Sequence, residues 1–396
     1  MYKREQYQTI TKRMKERRNF LQVVLGPRQV GKTTVVKQAL KDLDMPFLIY
    51  SADNVPATQT SWIADCWSTA RTQMRIEKHS EFVLAIDEIQ KIRNWSEAVK
   101  KEWDADTFND INIKVILLGS SRVLLEKGLS DSMMGRFEEI RMTHWSYPEM
   151  HDAFGMSLEQ YIFFGGYPGA AVLIEDEERW EQYISSAIID ATINKDILYD
   201  SPISKPALLR QTFELGSSYS GEIVSLTKMV GSLQDAGNTT TLSGYLNLLN
   251  DSGLLTGLQK FAIDRSRQRA SAPKFQVYNS ALKNIYSNLT FKEAILNPKE
   301  WGRIFESAIG AHIISNAFIS GYEVFYWRER DKEVDYILKK KNRIVAIEVK
   351  SNEEKYNAGL EEVRRMYNPY ATMIVGKGGM KAEDFLSVNP TRLFES

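Results

Sequence analysis

The stretch L-Q-V-V-L-G-P-R-Q-V-G-K-T-T at residues 21–34 decides how this chain begins to fold. Residues 21–25 form an apolar, β-branched run, which reads as a buried strand. Residues 26–33 fit G-x-x-x-x-G-K-[ST], and residues 34–40 continue at helical spacing. Strand, glycine loop and helix, in that order, is the setting in which this motif holds phosphate. Gly26, Pro27, Arg28, Gln29, Val30 and Gly31, running into Lys32, Thr33 and Thr34, are therefore the expected nucleotide-binding residues. The loop's backbone N–H groups and the helix N-terminus form a nest for phosphate oxygens. Lys32 can reach the β- and γ-phosphates, and the Thr33 hydroxyl can ligate Mg²⁺. The expected ligand is a nucleoside triphosphate with Mg²⁺.

A second apolar run, residues 82–86, delivers Asp87 and Glu88 at its carboxyl end, the end at which α/β sheets bind ligands. Asp87 can help hold Mg²⁺ and Glu88 can polarise a water. Two acids at a strand end are also ordinary loop residues; it is their position downstream of a glycine loop that favours chemistry. Residues 115–119 repeat the apolar pattern and end in Ser120-Ser121-Arg122. Ser120 and Arg122 are candidates for sensing the γ-phosphate, and capping a helix at 123–127 is an equal alternative. A helix at 3–18, a strand at 46–50 and a helix at 61–78 complete the expected core.

The chain has 396 residues, 43% hydrophobic and 26% charged, which fits a soluble protein of roughly two to four domains. Lys plus Arg (51) equals Asp plus Glu (51), so any basic surface must be local. The single cysteine, Cys66, excludes an intramolecular disulfide and a cysteine-based zinc site, and fits a reducing cytosol. The polar start MYKREQYQTI lacks a signal-peptide core, and no apolar run is long enough to span a bilayer. A cytoplasmic location and no membrane partner are expected.

Together G-P-R-Q-V-G-K-T-T, A-I-D-E-I-Q-K-I-R-N-W, L-L-G-S-S-R and M-M-G-R-F-E-E-I-R-M-T-H-W-S-Y-P-E-M resemble bacterial and archaeal AAA-type ATPases with a C-terminal domain of unknown function, the AAA_14 plus DUF4143 type. The resemblance covers nearly the whole chain. It implies that Arg136, after Gly135, occupies a recurrent arginine position, an arginine finger acting in cis or across subunits. It also implies that Pro168, in Gly165-Gly166-Tyr167-Pro168-Gly169, packs near the nucleotide base. From the residues alone this run is a glycine–proline turn after a helix at 158–164, with a long amphipathic helix following at 180–198.

After the proline-punctuated 201–206, a short helix at 225–233, a turn, a helix capped by Thr239 and running to 250, and strands at 254–258 and 274–278 give the order of a winged helix. Arg265, Arg267 and Arg269 form a basic tip suited to a DNA backbone. The face of the second helix (Thr239, Thr240, Thr241, Ser243, Asn247) carries no Arg or Lys, which argues against sequence-specific readout.

The last part reads as a helix at 301–318, with His312 on its apolar stripe as a core residue, then strands at 322–327, 333–338 and 344–350. Period-two alternation puts Glu348 and Lys350 on one face. Two carboxylates on paired strands can bind Mg²⁺ or Mn²⁺, and a lysine beside them can position an attacking water. The pattern resembles the PD-(D/E)XK nuclease fold, whose four usual positions match Glu306, Asp335, Glu348 and Lys350. The proline that often precedes the aspartate is replaced by Val334.

The expected fold is α/β. A P-loop AAA-type ATPase sheet (1–155) carries a helical lid (156–204), followed by a winged helix (205–290) and a restriction-endonuclease-like α/β domain (291–396). The expected function is Mg²⁺-dependent ATP hydrolysis, with Lys32, Glu88 and, by the resemblance, Arg136 catalytic, coupled to DNA binding, with DNA cleavage by the C-terminal domain left open. The alternative is a nucleotide-controlled DNA- or protein-binding switch with an inactive C-terminal domain. A P-loop kinase is a weaker third reading, because an Asp-Glu pair suits water activation. ATP or ADP and DNA are the expected partners, and the sequence leaves homo-oligomerisation open.

Overall fold

A computed structural model describes residues 2–119, 129, 133–198, 203–233, 237–264, 271–351 and 358–395. The chain forms two compact units, Met1–Met142 and Thr143–Ser396. Ser120, Arg122, Arg265, Arg267 and Arg269 lie outside the described residues. Among the described residues, no helix is long and apolar enough to cross a membrane.

The first unit is a five-stranded parallel sheet: β1 (Leu21–Leu25), β2 (Phe47–Ser51), β3 (Phe82–Asp87), β4 (Ile113–Gly119) and β5 (Phe137–Arg141), in the order β2-β3-β4-β1-β5. Parallel strands buried on both faces read as continuous apolar runs, and every residue of β1, β3 and β4 is buried. The side chains alternate between two cores. Leu21, Val23 and Leu25 pack with Ile63, Trp67 and Val99, from helices Ser61–Ile76 and Trp95–Phe108. Val24 faces the other way, toward Ile10 and Met14 of helix Glu5–Lys15 and Val35, Val36 and Ala39 of helix Lys32–Lys41. Each such burial is worth about 1.5–3 kcal/mol, so the helices are held to the sheet mainly by these two apolar layers. Because the strands are parallel, the loops after β1 and β3 emerge at the same sheet edge.

The second unit begins with helices Tyr147–Phe154, Leu158–Phe164 and Glu177–Tyr183, the last widening into π-helical turns over Ile184–Asp190 and Ile193–Ile197. The single long helix expected at 180–198 is thus a helix with π-helical continuations. Helices Pro206–Ser218, Leu226–Ser232 and Thr239–Asp251 follow. Asn238, not Thr239, caps the last of these: its Oδ1 accepts from the Thr241 N–H at 2.9 Å.

Strands β6 (Leu255–Lys260) and β7 (Lys274–Val277) form the expected antiparallel hairpin. They do not stand alone. β6 pairs in parallel with β8 (Glu323–Glu329) at Gln259–Phe325 and Lys260–Tyr326, and β9 (Lys332–Lys340), β10 (Arg343–Lys350) and β11 (Ala371–Gly376) complete a six-stranded mixed sheet. Its order is β11-β10-β9-β8-β6-β7. Strands from either side of the expected limit at residue 290 therefore share one sheet, with helix Pro298–Ser320 packed against it.

Candidate functional site

The glycine loop leaves β1 in a tight bend that two features dictate. Gln29 (φ 59°) and Gly31 (φ 87°) are both left-handed, and such turns direct successive backbone N–H groups into a concavity suited to an anion. A Cβ on Gly26 would lie 2.5 Å from the Met142 carbonyl oxygen, so only glycine lets the loop pass β5's end. Lys32, 7% exposed, donates Nζ to the carbonyls of Gly26 (2.9 Å) and Pro27 (2.7 Å), which holds its ammonium inside the loop. Arg4, also buried, donates to the Val30 carbonyl at 3.1 Å and braces the loop from the chain's start. Arg4 escapes sequence reading because nothing local connects it to residue 30.

Across the same edge, β3 ends in Asp87. The Thr33 hydroxyl donates to Asp87 Oδ2 at 2.5 Å, and the Glu88 N–H donates to Oδ1 at 2.9 Å. Burial pushes the Asp87 carboxyl above its ordinary value, opposed by the Thr33 hydrogen bond. A hydroxyl and a carboxylate converging at this edge are the hard oxygen donors that Mg²⁺ prefers. Glu88 sits in the left-handed region (φ 54°), uncommon for a residue with a side chain. Gln90 Nε2 donates to Glu88 Oε2 at 2.6 Å and orients the carboxylate. Strain of this kind clusters at working sites.

Arg136 lies elsewhere. Its carbonyl accepts from the Leu21 N–H, which places it at the amino end of β1, and β1 is five residues long. The glycine loop is thus at least about 13 Å away along the strand. The guanidinium is bidentate on Asp104, at 2.8 and 3.1 Å. The structure does not bring Arg136 to its own chain's loop.

In the second unit, Pro168 lies in the turn after helix Leu158–Phe164. The adjacent glycines have a packing reason: a Cβ on Gly165 would meet Asn279 Oδ1 at 1.9 Å, and one on Gly166 the Trp145 carbonyl oxygen at 2.2 Å.

The four C-terminal residues do come near one another, but around a lysine. Glu306 is on helix Pro298–Ser320, Asp335 on β9, Glu348 and Lys350 on β10. Lys350 Nζ lies 3.0 Å from Glu348 Oε1, as the alternation requires, and Asp335 Oδ2 accepts from the Val349 N–H at 2.8 Å. Lys274, at the start of β7 and fully buried, places Nζ 2.7 Å from Glu306 Oε1, 3.1 Å from Asp335 Oδ1 and 3.8 Å from Glu333 Oε1. Burial pushes the Glu306 carboxyl up to about 7, with the neighbouring Asp335 adding and Lys274 opposing. Gln276, two residues along the same face of β7, accepts from the Tyr336 hydroxyl at 2.9 Å.

Among the described residues no group of three or more His, Cys, Asp or Glu is disposed to hold a metal ion. The metal expected at this cluster does not fit the residues as arranged. Lys274 and Gln276 were absent from the expected site, and their signal is two polar residues alternating with Phe275 and Val277 in a short strand. His312 is a core residue as expected: its Nε2 lies 2.9 Å from the Val388 carbonyl oxygen, and burial pulls it down to about 4.

The fold and the loop define a P-loop α/β protein with a parallel sheet. Residues 18–151 match the AAA domain family AAA_14, residues 156–293 a domain of unknown function, DUF8612, and residues 301–391 another, DUF4143. The chain therefore carries an AAA domain of the AAA_14 family in its first part and a DUF4143 domain at its C-terminal end. No curated protein matches it. Among solved structures, it is similar to the Aeropyrum pernix ORC2 protein in ADPNP–ADP complexes (12% identity, TM-score 0.42, covering 74% of this chain and 95% of that one). It is also similar to the R170A form of Thermotoga maritima RUVB (14% identity, TM-score 0.35, covering 63% and 85%).

Proposed function

We propose that the first unit binds and hydrolyses Mg·ATP and that the second converts nucleotide state into DNA binding without cutting the DNA. The observation that carries the ATPase reading is the Thr33–Asp87 contact, which joins the phosphate loop to the acidic strand end. Lys32 and the loop N–H groups hold the phosphates. Thr33 and Asp87 would hold Mg²⁺, which supplies charge neutralisation to the phosphate oxygens when bound. Glu88, oriented by Gln90, accepts a proton from the attacking water. Ser120 and Arg122 sense the γ-phosphate, and Arg136 serves a neighbouring copy rather than its own loop. Its distance along β1 supports that last assignment.

DNA binding is assigned to the hairpin carrying Arg265, Arg267 and Arg269, through phosphate contacts that carry no sequence information. Three helices followed by the β6–β7 hairpin support a winged-helix reading. Cleavage is the second reading, favoured by the convergence of Asp335, Glu348 and Lys350 on adjacent strands and opposed by Lys274. The test is fluorescence anisotropy of labelled duplex DNA with ATP, ADP or no nucleotide, with gel analysis of the same DNA in Mg²⁺ and Mn²⁺. The proposal expects intact DNA and an affinity that changes with nucleotide in the wild type but not in Lys32→Ala. Cutting that is lost in Asp335→Ala would replace this reading with a nuclease.

A further inference from the structure

We propose that the C-terminal carboxylate cluster is built around the Lys274 ammonium as its resident cation, and that it therefore takes no divalent metal. A lysine with no solvent exposure persists only if its charge is paired and its donors are satisfied. Within the cluster the charge of Lys274 is paired by Glu306 and Asp335, and its Nζ donates to both the side chain and the carbonyl of Asp335. Nζ reaches Glu306 Oε1 at 2.7 Å, Asp335 Oδ1 at 3.1 Å and the Asp335 carbonyl at 3.4 Å, and lies 4.9 Å from the centre of the Tyr336 ring. The other Asp335 oxygen is taken by the Val349 N–H, and Glu348 Oε1 is taken by Lys350.

A divalent ion bound to Glu306 Oε1 would sit about 2.1 Å from that oxygen. It would then lie no more than about 4.8 Å (2.1 + 2.7) from the ammonium. In buried surroundings that repulsion is weakly screened, and the same two carboxylates cannot fully pair with both cations.

The lysine is also anchored so that it cannot easily withdraw. Its backbone pairs with Leu258 of β6 on one side and bridges to Ile223 on the other. The preceding segment is held by Tyr326, whose hydroxyl donates to the Ala272 carbonyl at 2.5 Å. Beside Lys274, Gln276 bonds the Tyr336 hydroxyl and donates to the Ser307 carbonyl at 2.8 Å, which fixes the wall of the cluster. An intramolecular cation supplied by the β6–β7 hairpin therefore ties the hairpin to the helix and to β9, work that a metal would otherwise do.

The test is calorimetric titration of Mn²⁺ into the nucleotide-free full chain, with melting curves in parallel. No nucleotide is added, so the outcome is independent of the P-loop reading. The wild type is expected to show no Mn²⁺ binding that Asp335→Asn removes, down to a Kd of about 1 mM. Lys274→Ala leaves the carboxylates unpaired. It is expected to melt lower, to regain stability with Mn²⁺, and to lose that response in the Lys274→Ala/Asp335→Asn double variant. Lys274→Met is run beside it, and if neither variant folds the wild-type titration decides alone. Mn²⁺ binding by the wild type that Asp335→Asn abolishes, or folded Lys274 variants that gain no Mn²⁺ response, would overturn the proposal.

Discussion

The hydroxyl of Thr33, in the first turn after the glycine loop, donates to Asp87 Oδ2 at 2.5 Å, across a sequence separation of 54 residues. That one bond joins two motifs that the chain keeps apart. It also stabilises the charged form of a carboxylate that burial would otherwise push toward neutrality. Thr33→Val keeps the shape of the side chain and removes the oxygen. ATP turnover should fall by about tenfold or more, and the Mg²⁺ concentration for half-maximal rate should rise, since a transition-state contact is worth ~1.4 kcal/mol per decade. Steady-state phosphate release over a Mg²⁺ titration measures both; an unchanged Mg²⁺ requirement would count against Thr33 as a ligand.

Gly26→Ala should damage the loop through the backbone. The added Cβ would stand 2.5 Å from the Met142 carbonyl oxygen, a contact that a neighbouring strand end cannot readily yield. The expected cost is about 1–3 kcal/mol of stability, together with weakened nucleotide binding. Denaturant melts and binding of a fluorescent ATP analogue would show it, and wild-type values for both would mean that the β1–β5 edge is softer than it looks.

Gly310→Ala tests the wall of the C-terminal cluster. Its Cβ would fall 2.1 Å from the Tyr336 hydroxyl and 2.2 Å from Gln276 Oε1, splitting a bonded buried pair. A loss of about 2–4 kcal/mol is expected from overpacking plus two orphaned polar groups. A melting temperature within a degree of wild type would show that the pair is dispensable.

Glu306 gives a pH signature with a definite sign. Its folded-state value is raised from the ordinary carboxylate value to about 7, so between roughly pH 4.5 and 7 the folded chain binds more protons than the unfolded one. Its contribution to stability is therefore largest at the acid end of that window and declines as pH rises to 7. Glu306→Gln cannot titrate. The wild type should lose stability relative to Glu306→Gln between pH 5 and 7.5, by a few degrees in melting temperature, and parallel curves would contradict the assignment.

The core that carries the P-loop was legible because its signals are local. Strand, loop and helix fall within twenty residues, and fully buried parallel strands such as β3 and β4 announce themselves as unbroken apolar runs. Strand β5 (Phe137–Arg141) carries no such signal: as an edge strand it is only half-buried and reads F-E-E-I-R. Arg136 illustrates the complementary limit. Its motif can be read from sequence, but its place at the far end of β1, paired with Asp104, depends on strand order. The C-terminal strands were legible by alternation, which correctly placed Glu348 beside Lys350. The cation at their centre was not. Lys274 meets Glu306 and Asp335 only because β6 joins β8 and turns the hairpin into part of the same sheet, a long-range pairing with no local pattern.

The most direct test of the ATPase claim is phosphate release by purified wild type, Lys32→Ala and Glu88→Gln, with bound nucleotide identified after rapid gel filtration. The account predicts turnover by the wild type, none by Lys32→Ala, and ATP retained unhydrolysed on Glu88→Gln. Turnover by Glu88→Gln at the wild-type rate, or by Lys32→Ala at any comparable rate, would contradict it.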